Sequence, residues 1–320
     1  MKKILYIFDA DNHIGFGHLV RCCQIAKELK KLGNTNILIT KTKKNILPKN
    51  LFKKVICFKE NKSKLIDKII LLYKKFNCAF LILDRFNLNA NIPNELKKNN
   101  INWFQFLRNK EEDFQGDLGI CSIPYKKLNF KKKKNIYYGK DYTVLRDQFY
   151  LNKKKTTKKK ILICFGGGDD KGLTIRILNK IFTKDKSYKF NIITQNRLNY
   201  QNLKNWIKRN DVERRIKVFF KSKNIIDIID ESKFAICSGG TISQEIDARC
   251  KKMILISVSN NQILQSKSWQ SYGHIYVGRS KNINYNKLFR SIIKLKINNE
   301  AKFVKKKKNY IKVINQITKF

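Results

Sequence analysis

Proline and glycine are scarce in this chain, at 3 and 14 of 320 residues. Histidine is scarcer than glycine: His13, His18 and His274 are all there are, so imidazole chemistry has three addresses. Acidic side chains are few as well, 24 Asp and Glu against 70 Lys and Arg, a formal charge of +46. No apolar run reaches the roughly 20 residues a membrane-spanning helix needs. The run Lys3 to Phe8 is ended by Asp9 and Asp11 too early for a secretory leader. The eight cysteines form no CxxC pair and no metal-ligand spacing; several, such as Cys164 and Cys237, lie inside apolar strand-like runs. They read as buried free thiols in a reducing cytoplasm, and no metal or other cofactor is expected.

The positive charge first invites a nucleic-acid or anionic-membrane partner. Its distribution argues otherwise. Lysine greatly outnumbers arginine, and Asn, Ile, Phe and Tyr are abundant, the pattern of an adenine- and thymine-rich genome. The lysines form short runs (131–134, 153–155, 158–160, 305–308) rather than one face, and no base-stacking aromatics interleave them. No nucleic-acid partner is expected. Such a surface still draws acidic ligands and weakly favours contact with anionic membranes.

A chain of this length exceeds one usual core, so two domains are expected. Short apolar runs alternate with helix-period segments. Strands are expected at Lys3 to Phe8, Asn36 to Thr40, Lys54 to Phe58, Ala79 to Asp84 and Ile101 to Phe106. Leu19, Cys22, Ile25, Ala26, Leu29 and Leu32 share one helical face, with Gly33 as the stop. Helices are also expected at Ser63 to Phe76 and Pro93 to Asn99. After the polar stretch 151–160 a second series begins with Ile161 to Phe165, and later places helices at Thr241 to Cys250 and Asn261 to Ser271. The expected organisation is α/β: a Rossmann-like domain over 1–150, a linker at 151–160, a second Rossmann-like domain over 161–298, and a basic helix over 299–320. Ligands would enter a cleft between the carboxyl ends of the two sheets.

Three junctions carry the chemistry. In Asp9-Ala-Asp-Asn-His-Ile-Gly15-Phe-Gly17-His18-Leu-Val-Arg21, a dinucleotide fingerprint would need glycine where Val20 stands, so that reading is weak. The loop instead places His18, a side chain that can exchange protons near neutral pH, at a strand–helix junction where backbone N–H groups favour anions. Phe165-Gly166-Gly167-Gly168-Asp169 occupies the matching place in the second half, its glycines suited to a diphosphate and Asp169 to capping the next helix. Ser238-Gly239-Gly240-Thr241-x-x-x-Glu245 repeats the pattern, with Glu245 placed for ribose hydroxyls on a face the glycines open, and Asn261-Gln262 bring amides to the same rim.

These motifs, with Gly139-x-x-Tyr142-x-x-Leu145-Arg146-x-x-Phe149, resemble the nucleotide-sugar hydrolases of pseudaminic acid biosynthesis, over about Ile4 to Gly278. Those enzymes remove UDP from UDP-2,4-diacetamido-2,4,6-trideoxy-β-L-altropyranose. The Ser-Gly-Gly-Thr…Glu and Asn-Gln elements are shared with a wider superfamily of two-domain glycosyltransferases. The resemblance implies a GT-B type fold, a metal-independent reaction, and His18 as catalytic base. It also implies substrate contacts from Asp9, Gly15, Gly17, Arg21 and Asp84 in the first half. Gly166, Gly167, Ser238, Gly240, Thr241, Glu245, Asn261 and Gln262 would hold UDP in the second. The family's Asp-His-Tyr is here Asp84-Arg85-Phe86, and an expected acidic pair is replaced around Phe106-Leu107-Arg108, so the sugar is the part expected to differ. Three other readings stay open: an inverting glycosyltransferase on the same fold, a member that binds nucleotide sugars without turnover, and a basic nucleic-acid-binding protein.

Overall fold

Runs of β-branched, leucine and aromatic residues build two parallel sheets, each covered by helices whose apolar stripes face it. A computed structural model describes residues 1–11, 15–58, 64–84, 91–109, 112–125, 133–152, 160–167, 170–222, 224–297 and 303–320. The chain divides into two units, one of Met1–Ile123, Lys127–Arg146 and Lys308–Phe320, the other of Pro124–Lys126 and Asp147–Lys307. Of the stretch expected as a linker, residues 153–159 lie outside the described residues.

In the first unit the strands are β1 (Lys3–Phe8), β2 (Thr35–Thr40), β3 (Lys54–Cys57), β4 (Phe80–Asp84), β5 (Trp103–Phe106), β6 (Leu118–Cys121) and β7 (Ile136–Tyr138). They hydrogen-bond in the order β3-β2-β1-β4-β5-β6-β7, every pair parallel. The order reverses at β1, whose Phe8 pairs with Asp84 of β4, so these two central strands end side by side. Helices α1 (Gly17–Lys31), α2 (Leu65–Lys75) and α3 (Asn91–Lys98) provide the crossovers. On one side of the sheet, Leu5, Ile7, Leu81 and Leu83 pack with Ile69, Leu72 and Leu96 from α2 and α3.

The second unit repeats the plan. Its strands are β8 (Lys160–Cys164), β9 (Lys189–Thr194), β10 (Ile216–Phe220), β11 (Ser232–Cys237), β12 (Lys252–Ser257), β13 (Ile275–Arg279) and β14 (Asn282–Ile283), and they run β10-β9-β8-β11-β12-β13-β14. Only the terminal β13–β14 pair of this sheet is antiparallel. The helices are α4 (Leu173–Ile181), α5 (Arg197–Asn210), α6 (Ile225–Asp230), α7 (Thr241–Ala248), α8 (Ile263–Ser268) and α9 (Tyr285–Ile297). One core gathers Ile161, Ile163, Ile236, Ile254 and Ile256 under Leu178, Leu288 and Ile292. Arg249, fully buried, closes the α7 end by donating Nε and Nη2 to Asp230 at 2.8 and 2.6 Å, and Nη1 to the Leu151 carbonyl at 2.7 Å.

Within the described part of the tail, the helix expected over 299–320 occupies only α10 (Ile311–Ile317). It belongs to the first unit, packing on α1 through buried Tyr310, Val313, Ile314 and Ile317. Gln24 Nε2 donates to Tyr310 Oη at 3.2 Å, and Lys2 Nζ to the Thr318 carbonyl at 2.7 Å. No helix among the described residues is long and apolar enough to cross a membrane.

Candidate active site

The first helix starts two residues earlier than its apolar pattern predicts, at Gly17, so His18 lies in its first turn. Gly15 adopts φ +86°, a region costly for residues with a Cβ, and its N–H bonds the Asp11 carbonyl at 2.8 Å. His13 lies outside the described residues.

His18, Arg21 and Cys22 stand at i, i+3 and i+4 of α1, the spacing that puts side chains on one face. All three reach Asp84 at the end of β4. His18 Nδ1 is 2.7 Å from Asp84 Oδ1. Arg21 donates Nη2 to the same oxygen at 2.6 Å and Nε to Oδ2 at 2.5 Å, a two-pronged grip, and Cys22 Sγ–H reaches Oδ2 at 3.4 Å. The Arg21 guanidinium also lies 4.6 Å from the Phe106 ring centroid, in cation–π geometry. His18 is 4 % exposed and Asp84 3 %, so the imidazole is enclosed, but by charged and hydrogen-bonding partners.

Burial alone would raise the Asp84 carboxyl. The charges of Arg21 and then His18, with the hydrogen bonds both donate, outweigh it and hold Asp84 well below the usual carboxylate range. Asp84 is therefore an anion, and at 2.7 Å from it only a protonated Nδ1 makes a hydrogen bond. A ring that holds this proton alone has its lone pair on Nε2. Burial disfavours the Arg21 cation, yet the Asp84 charge and hydrogen bonds more than compensate.

Two residues expected to touch substrate thus direct their charged ends at protein partners: Arg21, partly exposed, at Asp84, and buried Asp84 at His18 and Arg21. Asp9 behaves similarly, its Oδ1 accepting the Lys41 N–H at 2.7 Å and facing the Thr40 hydroxyl at 3.3 Å, which ties β1 to β2. Arg85 and Phe86 lie outside the described residues. The Arg108 backbone N–H donates to Glu112 Oε2 at 2.5 Å and its guanidinium to Oε1 at 3.2 Å, so that charge is partnered within its own loop. Phe106 and Cys22 had no assigned part in the expected site. Helical spacing from His18 was the available signal for Cys22; nothing local marked Phe106.

In the second unit three turns meet at the carboxyl ends of neighbouring strands. Cys164 of β8 pairs with Cys237 of β11, so Gly166–Gly167 and Ser238–Thr241 follow side by side. Ser238 Oγ donates to the Phe165 carbonyl at 3.2 Å and joins them. Gly166 needs its φ of +91° to turn there. A Cβ on Gly239 would lie 2.1 Å from Ser266 Oγ and 2.8 Å from the Gln262 carbonyl, so its glycine is imposed by packing against the turn after β12. In that turn Gln262 Oε1 accepts the Val258 N–H at 3.0 Å, while Asn261 is exposed and accepts from Ser259 Oγ. Thr241 opens α7 with Gly240 before it and no side-chain cap on its first N–H groups.

Glu245 is 5 % exposed, not displayed on an open helix face as expected. Its charge is felt by Cys164, a thiol pushed up to about 12 chiefly by burial. Asp169, expected to cap the next helix, lies outside the described residues; its neighbour Asp170 does cap that turn. Its carboxylate accepts the Gly172 and Thr174 N–H groups at 3.0 and 3.1 Å and the Thr174 hydroxyl.

No family model matches the chain. It is 26 % identical over 257 residues to an uncharacterized protein of Methanocaldococcus jannaschii, covering 74 % of this chain and 52 % of that one. The chain thus spans about half the length of that relative. It is 23 % identical over 266 residues to the UDP-2,4-diacetamido-2,4,6-trideoxy-β-L-altropyranose hydrolase of Campylobacter jejuni, covering 76 % and 87 % of the two chains. Among solved structures it superposes on MurG of Acinetobacter baumannii with a TM-score of 0.70, 13 % identity and full coverage of both chains. The UDP-GlcNAc 2-epimerase of Methanocaldococcus jannaschii gives a TM-score of 0.64 and 12 % identity over 99 % of this chain and 100 % of that one. The fold is GT-B. Two Rossmann-like units, each reversing strand order at its first strand, are what that fold requires of the sequence, and both were expected from it.

Proposed function

We propose that this protein is an enzyme of UDP-sugar metabolism that hydrolyses the bond between the sugar and UDP. The observation carrying the proposal is the His18–Asp84–Arg21 cluster, in which His18 Nδ1 lies 2.7 Å from Asp84 Oδ1, a placement that suits a proton on Nδ1 and a lone pair on Nε2. In the proposed reaction a water oxygen bonds to the anomeric carbon while the bond from that carbon to the UDP oxygen breaks. The water proton passes to Nε2, and the electron pair leaves with UDP. A positioned base contributes about 10² to 10⁴ in rate. Backbone N–H groups around Gly166, Gly167, Gly240 and Thr241 are assigned to the diphosphate, whose negative charge grows as the bond breaks. Glu245 is assigned to the ribose, with Asn261 and Gln262 beside it.

The Campylobacter jejuni relative, named for hydrolysis of a UDP-diacetamido sugar, supports this reaction class, and the epimerase named for UDP-GlcNAc supports a UDP-sugar as ligand. The test is incubation with UDP-linked diacetamido sugars without acceptor, reading UDP and free sugar by mass spectrometry. Release of both is expected. His18→Ala should lose about 10² to 10⁴ of that rate while UDP affinity stays within about twofold; unchanged turnover would remove His18 as base. UDP release only after an acceptor is added would replace hydrolysis by glycosyl transfer.

A further inference from the structure

We infer that Arg21 is a positioning residue that governs the proton balance of the His18–Asp84 pair, and that it keeps the imidazole unprotonated when the base is needed. The inference rests on the base reading of His18. It departs from the expectation that Arg21 binds substrate.

Two separate facts of geometry carry it. Arg21 Nη2 lies 2.6 Å from Asp84 Oδ1 and only 3.0 Å from His18 Nδ1, so guanidinium and imidazole converge on one carboxylate oxygen. Asp84 Oδ2 is occupied by Arg21 Nε and Cys22 Sγ, so both oxygens already have donors and the carboxylate cannot turn away. The charges then add simply. With Arg21 cationic, Asp84 anionic and the ring neutral, the cluster sums to zero. A second ring proton would take it to +1 in a site whose imidazole and carboxylate are almost wholly buried. Without Arg21 the sum is −1, and the same proton would bring it to zero. Asp84 alone would therefore make an imidazolium, a poor base at neutral pH; Arg21 cancels that pull while leaving the hydrogen bond that orients the ring.

Asp9, at the end of β1, faces the Lys41 N–H and Thr40 hydroxyl. Cys22 offers its thiol to Asp84, and burial pushes that thiol well above its ordinary range, so it stays neutral. From β5 comes Phe106, which holds the guanidinium by its ring face and carries no charge.

The experiment is an NMR titration of the ring nitrogens in the intact protein, with no substrate. His13 and His274 serve as internal references. In Arg21→Met the His18 midpoint should rise by about one to three pH units relative to the unmodified protein. Arg21→Lys, which keeps the charge and loses the fork, should move it by less than about half a unit on the same reasoning. Arg21→Gln provides the uncharged variant if Arg21→Met does not fold. In turnover, the acid limb should move up with the ring midpoint. A midpoint that stays or falls in the uncharged variants overturns the inference. A raised midpoint with no matching move in the acid limb upholds it and sinks the base reading instead.

Discussion

Arg249 and Asp230 offer a quantitative test of how the second unit is held together. The guanidinium is fully buried, Asp230 nearly so, and two charge-assisted hydrogen bonds of 2.8 and 2.6 Å join them. A third bond runs to the Leu151 carbonyl, and the Phe303 ring lies 4.9 Å from the guanidinium carbon. Arg249→Met keeps volume but strips a buried carboxylate of its cation, which costs about 3–5 kcal/mol. At roughly 2–4 °C per kcal/mol for a unit of this size, the melting temperature should fall by about 6–20 °C. Asp230→Leu leaves the guanidinium in the same position and should cost a similar amount. Combining the two removes both charges at once, so the double variant should be less destabilised than the sum of the singles by at least about 2 kcal/mol. Urea unfolding of all four proteins measures this directly. A coupling below about 0.5 kcal/mol, the range of independent sites, would show that the pair is not the energetic unit its geometry describes.

Three further outcomes can be checked. Gly239→Ala, whose Cβ would meet Ser266 and Gln262 well inside contact distance, should destabilise the second unit by about 1–3 kcal/mol and abolish UDP binding, whereas Gly240→Ala, with its nearest neighbour at 3.5 Å, should fold normally in thermal melts. Because the folded-state carboxyl of Asp84 lies below its unfolded value, its contribution to stability is complete above about pH 5 and declines as pH falls toward the folded value. Asp84→Asn should therefore be less stable at pH 7 and show a flatter loss between pH 5 and pH 3. Thiol labelling at pH 8 should modify exposed Cys57 first and spare buried Cys164 and Cys237 until denaturant is added, Cys164 being pushed up to about 12 and Cys237 well above its ordinary range.

The fold was legible where elements are long and apolar on one side. β1, β4 and β8 stand where their buried runs predict, and α1 misses its expected start by two residues, because Gly17 and His18 lack the apolar pattern that locates a helix. Two elements escaped for different reasons, α5 for want of buried surface and β6, though wholly buried, for want of length. α5 has Leu203 as its one buried side chain, and β6 is four residues long, too short for any period. The site was legible as a set of junctions but not as a set of contacts. His18 and Arg21 share a motif; their meeting with Asp84, more than sixty residues away, depends on β1 and β4 being neighbours, which is tertiary information. The same holds for Glu245, whose burial follows from how α7 lies on its sheet.

The return of α10 to the first unit has a consequence for how the polypeptide can be made and cut. The α1 helix, and with it the imidazole, is backed by side chains more than 280 positions downstream, as the Gln24–Tyr310 bond records. During synthesis the first unit is therefore complete only once residues 308–320 have emerged, while the bulk of the second unit, Asp147–Lys307, precedes them and can finish first. A fragment cut near residue 150 would leave the α1 surface uncovered, so the half bearing His18 is best produced with the tail attached.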